Sequence, residues 1–201
     1  MNNIENHIEK IKDPASWFEF YRQQKLIADI LLEKLLSKEQ VLKLKEDIDN
    51  SDFTTIFVNA HYHWGMAIEN GLKGILVKYN PEVIEYEIKG QNVILKSVCG
   101  KAGKTHNLLQ LAIMAGVFEK EKNLFKYQSD YDSLEQVLLH LTDMIKWGAR
   151  YPVSNNTATI FKMTKKIPSV LVYGFYILDV MQPLFDFFDK EKSKQFEQQK
   201  V

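Results

Sequence analysis

The sequence holds a single cysteine, Cys99, among 201 residues. One thiol cannot form an internal disulfide or supply a pair of metal ligands, so disulfide-stabilised folds and cysteine-based metal sites are excluded. This usage suits a reducing cytoplasm, and we expect Cys99 to fill space as a small apolar residue.

Net charge and long apolar runs are lacking as well. The 26 Lys and Arg residues balance the 26 Asp and Glu residues. No whole-molecule field therefore attracts nucleic acid or acidic lipid, and any anion site must be a local cluster.

The longest apolar run, 170–178, falls well short of the roughly 20 residues that span a bilayer. The N-terminal stretch MNNIENHIEK lacks the apolar centre of a signal peptide. We therefore expect a cytoplasmic protein without membrane contact.

Glycine and proline are scarce, with 9 and 5 residues, and apolar residues recur at helical spacing over most of the chain. This pattern predicts a mainly α fold in which residues 1–201 form a single helical domain. The expected helices cover 16–36, 38–49, 52–79, a short segment after Thr105, 130–149 and 168–194.

Local signals predict where these helices begin and end, and Pro183 predicts a kink in the last of them. Short polar side chains suit the N-terminal cap, whereas proline and glycine suit the end of a helix. The expected caps are Ser16, Asp52 and Thr105, and the expected stops are Asn80 with Pro81, Gly116 and Pro152.

Residues 83–98 differ from the rest of the chain. Apolar residues alternate there on both sides of a Lys-Gly-Gln-Asn centre at 89–92. This pattern predicts a β-hairpin inserted between helices.

The helix 52–79 is apolar nearly all round. At about 100° per residue, one stripe of it should face the core, yet Val58, Met66 and Leu76 lie on the far side. We therefore expect this helix to be central in the fold. Along 16–36, one largely apolar flank contains Phe20, Ile27, Ile30, Leu31, Lys34 and Leu35. The core stripe of 52–79 contains Phe53, Phe57, Ala60, Trp64, Ala67, Ile68, Gly71 and Ile75.

Glu69 and Lys73 lie on that far side, one helical turn apart. The simplest interpretation is a solvated ion pair worth a few tenths of a kcal/mol. If another element covers this face, the two residues instead form a buried polar site, which is costlier and more often functional.

The helix 130–149 carries a mixed aromatic and charged seam opposite its core stripe. Trp147 beside Arg150 is a composition typical of interface centres. The alternative, that Trp147 reaches a neighbouring helix in the core, stays open. The seam consists of Leu139, His140, Asp143, Trp147 and Arg150.

The connection from Arg150 to Pro168 is basic and contains no acidic residue. In a neutral protein this segment is the best local candidate for a phosphate site, and its Ser, Asn and Thr side chains add short hydrogen-bond donors. A plain polar connection between two helices is the alternative. The basic residues are Arg150, Lys162, Lys165 and Lys166.

Three motifs, in this order and spacing, resemble the HEPN superfamily (higher eukaryotes and prokaryotes nucleotide-binding domains): AIENGLKGIL at 67–76, KTHNLLQLAIMAGV at 104–117 and ARYP at 149–152. The resemblance covers about 52–152, and helices within 16–49 and 168–194 extend it. It implies an up-and-down α-helical bundle and a homodimer without a cofactor or metal. It also implies, for many members, metal-independent endoribonuclease activity in toxin–antitoxin, abortive-infection or other defence systems.

Active members of that family carry an Arg followed four to six residues later by His, at the end of the helix that here leads to Arg150. Arg clamps a phosphate with a planar, permanently charged fork, and His transfers protons near neutral pH. Here Asn155 stands where the His is expected, and an amide cannot take a proton at neutral pH. The resemblance therefore implies a dimer cleft around Arg150 that binds RNA or a nucleotide.

Two alternatives remain open. The chain is a ribonuclease if another group carries the proton, or a non-enzymatic module that binds a protein partner through its Trp147 seam. His140 lies about 15 Å along the helix from Arg150, and His61 and His63 lie on opposite sides of a core stripe, so they cannot share a metal. We expect these three and His106 to be structural.

Overall fold

A computed structural model of the chain describes residues 3–36, 50–100, 106–148 and 176–198. Helices dominate these ranges, which confirms the mainly α class, and a two-stranded antiparallel sheet completes them. None of the helices in these ranges combines the length and apolar character that a membrane span requires. The helices are α1 Asn3–Lys12, α2 Pro14–Leu36, α3 Asn50–Tyr79, α4 Leu108–Met114, α5 Gln128–Asp143 and α6 Tyr176–Gln198, and the strands are β1 Ile84–Lys89 and β2 Asn92–Val98.

The three predicted N-terminal caps are wrong. α2 begins at Pro14, and Asp13 accepts the backbone N–H of Ala15 at 2.9 Å, because proline suits a first helical position, where no N–H bond is needed. α3 begins at Asn50, which places Asp52 inside the helix. At α4, Asn107 accepts the N–H of Gln110 at 3.1 Å and takes the role expected of Thr105.

The predicted helix ends agree with the structure better than the predicted caps do. α3 ends at Tyr79, directly before Asn80 and Pro81, and Gly116 follows α4 with a φ of +73°. α6 runs from Tyr176 to Gln198 with Pro183 inside it. The segments expected to be helical at 38–49 and 168–175 lie outside the described residues. α1 is an additional helix that the sequence analysis does not predict, although Ile4, Ile8 and Ile11 recur at helical spacing in it.

The β-hairpin is confirmed. Ile84 pairs with Val98 at its base and Lys89 with Asn92 at its tip, where Gly90 adopts a φ of +61°. Val77, at the end of α3, joins Ile84 and Val98 in a small second core. The hairpin therefore covers the C-terminal end of α3.

α3 is central, as predicted. α2 runs antiparallel along it, since Phe18 packs at Gly74 and Asp29 accepts the indole N–H of Trp64 at 3.3 Å. α6 approaches closely at Gly71, where an added Cβ would lie 2.6 Å from the ring of Phe188. The side chain of Phe53 lies outside the described part of the chain, and Phe57 is partly buried. The buried members of the predicted stripe are Ala60, Trp64, Ala67, Ile68, Gly71 and Ile75.

The apolar flank of α2 does not face the core. Phe20 is 43% exposed and Ile30 is 55% exposed, whereas Phe18, Tyr21 and Ala28 are buried. α2 is apolar on two sides, and the side with the larger buried rings packs on α3 and α6. The hydroxyl of Tyr21 donates to Asp189 at 3.2 Å there.

α5 buries most of its expected core stripe, whereas Tyr131 is only partly buried, and the regular α-helix ends at Asp143. From Met144 to Gly148 it continues as a π-helical turn. A π turn inserts about one residue per turn and rotates the subsequent residues by about 100° relative to an α-helix. Regular α-helical spacing therefore does not continue from Asp143 to Trp147, and Arg150 lies outside the described residues. The stripe residues buried are Leu134, Val137, Leu138, Leu141 and Ile145.

Candidate functional site

Glu69 and Lys73 form a buried ion pair on α3. Their side chains are only 3% and 10% exposed, and Lys73 Nζ donates to Glu69 Oε1. The ring of Trp17, from α2, lies 5.8 Å from the same ammonium group. The simpler expectation of a solvated pair is therefore wrong, because neighbouring elements cover this face of α3. What remains is the second interpretation, a buried polar site.

His106 completes the pair. It lies on the connection that leads into α4, with a φ of +52°, and its Nδ1 is 2.9 Å from both carboxylate oxygens of Glu69. A carboxylate of this kind accepts hydrogen bonds, so Nδ1 carries the hydrogen that is donated. We call Glu69, Lys73 and His106 the acid–base cluster.

The electrostatics of the acid–base cluster favour an ionised Glu69. Burial acts to raise the pKa of its carboxyl, but the hydrogen bond from His106 and the positive charge of Lys73 outweigh burial and hold the pKa below its ordinary value. A buried carboxylate that is paired in this way orients the imidazole and stabilises positive charge on it. The side chain of His106 is 35% exposed.

The C-terminal end of α5 packs beside the acid–base cluster. The backbone N–H of Leu108, two residues after His106, donates to Thr142 Oγ1 at 3.0 Å. Ile145 contacts α3 at Gly65, one helical turn before Glu69. Asp143, the third predicted binding residue with a described side chain, is exposed. Partial burial of its carboxyl raises the pKa, and Lys146 opposes that shift.

The other predicted site residues lie beyond the described side chains. Trp147 belongs to the π-helical turn, but its side chain is outside the described part of the chain. The remaining predicted residues are Arg150, Asn155, Lys162, Lys165 and Lys166, which all lie outside the described residues.

The structure thus brings Glu69 and Lys73 together and adds His106. Sequence reasoning missed this role of His106, and no spacing signal links it to a residue 37 positions away.

A second polar contact joins α3 to α5. His61 is fully buried, and its Nδ1 lies 2.8 Å from Nε2 of His140. The rings of Phe57 and Trp64 pack against His61, and its buried Nε2 has no hydrogen-bond partner among the described residues. Among the described residues, no group of three or more metal-ligating side chains is found. Because His140 contacts the buried His61, it takes part in the packing of α5 on α3 and does not lie on an open seam.

Both histidines of this pair are held neutral. Burial and the neighbouring His140 place the pKa of His61 well below its ordinary value, and burial lowers the pKa of His140 to about 4. A protonated imidazole here would be a cation without a partner in a closely packed contact.

We expect this pair to make the protein less stable in mild acid. The unfolded chain protonates these histidines near pH 6.5, whereas the folded chain resists protonation down to about pH 4 for His140. Stability is thus complete above about pH 6.5 and is lost as the pH falls below it, by on the order of 1 kcal/mol per pH unit for His140, and His61 contributes in the same direction. Urea unfolding of the wild type and of His140→Leu at pH 7.5 and 5.0 measures the effect.

The His140→Leu protein should lose less stability than the wild type between the two pH values. His7→Gln, on the exposed face of α1, is the control and should keep the wild-type dependence. Equal losses in all three proteins would show that the pair does not titrate as described.

Comparison of the chain with protein-family models, with curated proteins and with solved structures found no match.

Proposed function

We propose that this chain is a HEPN-like protein that binds RNA or a nucleotide through a cleft around Arg150, formed by two copies, in a defence or toxin–antitoxin setting in the cytoplasm. The helical bundle with its central α3 is compatible with the fold that the three motifs imply. The proposed family rests on the resemblance of the three motifs. The acid–base cluster adds a buried polar site, which the amino-acid composition does not predict.

The position of the acid–base cluster at the end of α5 is the observation that carries the proposal. Thr142 and Ile145 hold this end of α5 against Leu108 and Gly65. The acid-free basic segment that starts at Arg150 follows in sequence within a few residues. A second basic stretch without acidic residues, 101–105, directly precedes His106. In a protein of zero net charge, two such segments that adjoin the elements of this site in sequence favour an anionic ligand.

RNA binding by an Arg150→Ala variant tests the proposal. Fluorescence anisotropy with a labelled single-stranded RNA, repeated over a series of salt concentrations, gives the affinity and its salt dependence. If Arg150 binds a phosphate, the variant should have a lower affinity, and the slope of log K against log salt should fall by about 0.7 for each phosphate that is no longer neutralised. Arg150→Lys should keep the charge but not the bidentate geometry, and so show an intermediate affinity.

Arg22→Ala is the matched control, because Arg22 is the chain's one other arginine and lies exposed on α2 beside Glu19. It should bind RNA as the wild type does. Equal affinities and slopes for the wild type and Arg150→Ala would contradict the proposal. A stable oligomer that binds no RNA and that Trp147→Ala dissociates would instead favour the protein-interaction module.

A further inference from the structure

A groove between α2 and α6 is distinct from the acid–base cluster, since none of the described residues that line it belongs to that cluster. Its volume is about 570 Å³, within the range of roughly 300–1,000 Å³ that is usual for sites of small molecules. Leu32 of α2 and Leu178 and Phe185 of α6 form its apolar part. The groove can therefore hold the apolar body of one small ligand.

The charged residues that line the groove all come from α2. They are Lys25, Asp29 and Glu33, each one helical turn from the next. Lys25 is neutralised within the groove, because its Nζ donates to Asp29 Oδ2 at 2.6 Å. Glu33 is exposed and makes no hydrogen bond or ion pair with the other residues that the structure describes. One negative charge is left over, which favours a cationic ligand over an anionic one.

Asp29 keeps the capacity to accept a further hydrogen bond. Its Oδ1 accepts the indole N–H of Trp64 at 3.3 Å, and its Oδ2 accepts from Lys25, whereas a carboxylate offers about four acceptor sites. Side chains four residues apart on a helix, such as Asp29 and Glu33, are neighbours with Cβ atoms roughly 5–6 Å apart. A single ammonium group can thus donate to both carboxylates.

The aromatic ring in the groove is also suited to a cation. Lys25 Nζ lies 5.0 Å from the centroid of the Phe185 ring, within the roughly 6 Å over which the face of a ring attracts positive charge. The same ring offers apolar surface to the carbon chain that carries an ammonium group.

Carboxylates from both helices add negative potential to this part of the molecule. Burial, and then the negative charges of Asp189, Asp29 and Asp186, raise the pKa of the Tyr21 hydroxyl between α2 and α6. Gln182, on the α6 side of the groove, donates from Nε2 to Asp186 at 2.7 Å. Its carbonyl oxygen adds one more acceptor at the groove.

We propose that the groove between α2 and α6 binds a small organic amine. The ammonium group lies between Asp29 and Glu33, and the apolar body packs on the leucine side chains and on the ring of Phe185. A single small molecule, and not a segment of another protein, is the occupant because the volume of the groove is that of one such ligand.

Binding of hexylamine, followed by two-dimensional NMR of the isotopically labelled protein, tests the proposal. Hexanol and hexanoate carry the same apolar chain with a neutral or a negative end and are the matched ligands. Hexylamine should shift the resonances of the groove residues in a saturable manner and bind at least about threefold more tightly than hexanol, as one exposed charged contact allows. Hexanoate should bind more weakly than either. Butylamine should bind more weakly than hexylamine, by up to about fourfold for each missing methylene group.

Glu33→Gln tests the role of the unpaired carboxylate. The side chain is exposed, so the variant should fold as the wild type does. It should bind hexylamine about threefold more weakly and hexanol with unchanged affinity. Glu135→Gln is the control, because Glu135 is exposed on α5 and does not line the groove; it should bind both ligands as the wild type does.

Three results would overturn the inference: equal affinities for hexylamine and hexanol, an unchanged affinity for hexylamine in Glu33→Gln, or shifts that do not saturate. A lysine that is blocked at its amino and carboxyl ends tests the other source of such a cation, the side chain of a protein partner. If it binds more tightly than hexylamine, the assignment to a small amine is wrong. None of these measurements involves RNA or Arg150, so this inference and the proposed function fail independently.

Discussion

Replacing Glu69 by alanine should lower the free energy of unfolding by about 3–5 kcal/mol, the decrease expected when one partner of a buried ion pair is removed. Lys73, with a side chain only 10% exposed, would be left as a buried cation, and His106 would lose the acceptor of its Nδ1. Urea unfolding followed by circular dichroism measures the change. An unaltered m-value would show that the decrease arises in the folded state.

Glu19→Ala provides the matched control. Glu19 also pairs with a basic residue on its own helix, Arg22 at 2.8 Å, but both side chains are about half exposed. Exposed pairs of this kind contribute little to stability, so the control should unfold close to the wild type. A decrease in Glu69→Ala as small as that in Glu19→Ala would contradict the burial of the acid–base cluster.

A variant that lacks both charges separates the contribution of the ion pair to stability from the cost of leaving one charge buried without a partner. In Glu69→Leu/Lys73→Met no buried charge is left without a partner, and apolar replacements of buried ion pairs are often neutral or stabilising. The double variant should therefore recover most of the stability that Glu69→Ala loses.

The contrast between these two ion pairs explains how far the sequence determines the site. Spacing along the helix predicts that Glu69 and Lys73 touch, as it does for Glu19 and Arg22. It cannot predict which pair is covered, because coverage depends on elements distant in sequence. Trp17 and His106 reach Lys73 and Glu69 from other parts of the chain.

The fold shows the same division between local and distant information. Strong periodicity and the Asn80-Pro81 stop suffice to predict α3, and alternation suffices for the hairpin. The caps are not predictable in this way because several adjacent polar residues could serve, and the folded backbone uses Asp13 and Asn107. The buried face of α2 is not predictable because both of its sides are apolar, and only the packing of Phe18 and Tyr21 on their partners decides between them.

The close approach of α5 to α3 at Gly65 gives the second large effect. A Cβ added at Gly65 would overlap Cγ2 of Ile145 and lie 3.2 Å from the carbonyl oxygen of Leu141. Ile145 is fully buried and its branched side chain is stiff, so the helices must separate to admit the methyl group. We expect Gly65→Ala to cost about 1–3 kcal/mol, although alanine in a helix otherwise stabilises by up to about 1 kcal/mol.

Gly74→Ala, on the same helix, is the control for that substitution. Its Cβ would lie 3.2 Å from the ring of Phe18, a contact that a small shift of the ring can relieve. The gain in helix propensity is the same at both positions. The difference between the free energies of unfolding of the two variants therefore measures the cost of the overlap with Ile145. A Gly65→Ala protein as stable as Gly74→Ala would show that α5 does not pack as closely as described.

A double-mutant cycle with Ile145→Ala assigns the overlap to one pair of residues. Alone, Ile145→Ala should cost about 2–5 kcal/mol, because it removes a buried side chain and leaves a cavity. In the double variant the new methyl group at position 65 occupies part of that cavity. Its destabilisation should therefore be smaller than the sum of the two single effects by about 0.5–3 kcal/mol. Because this contact places the end of α5 one turn from Glu69, Gly65→Ala should also weaken RNA binding, and Ile145→Ala in the same chain should restore part of it.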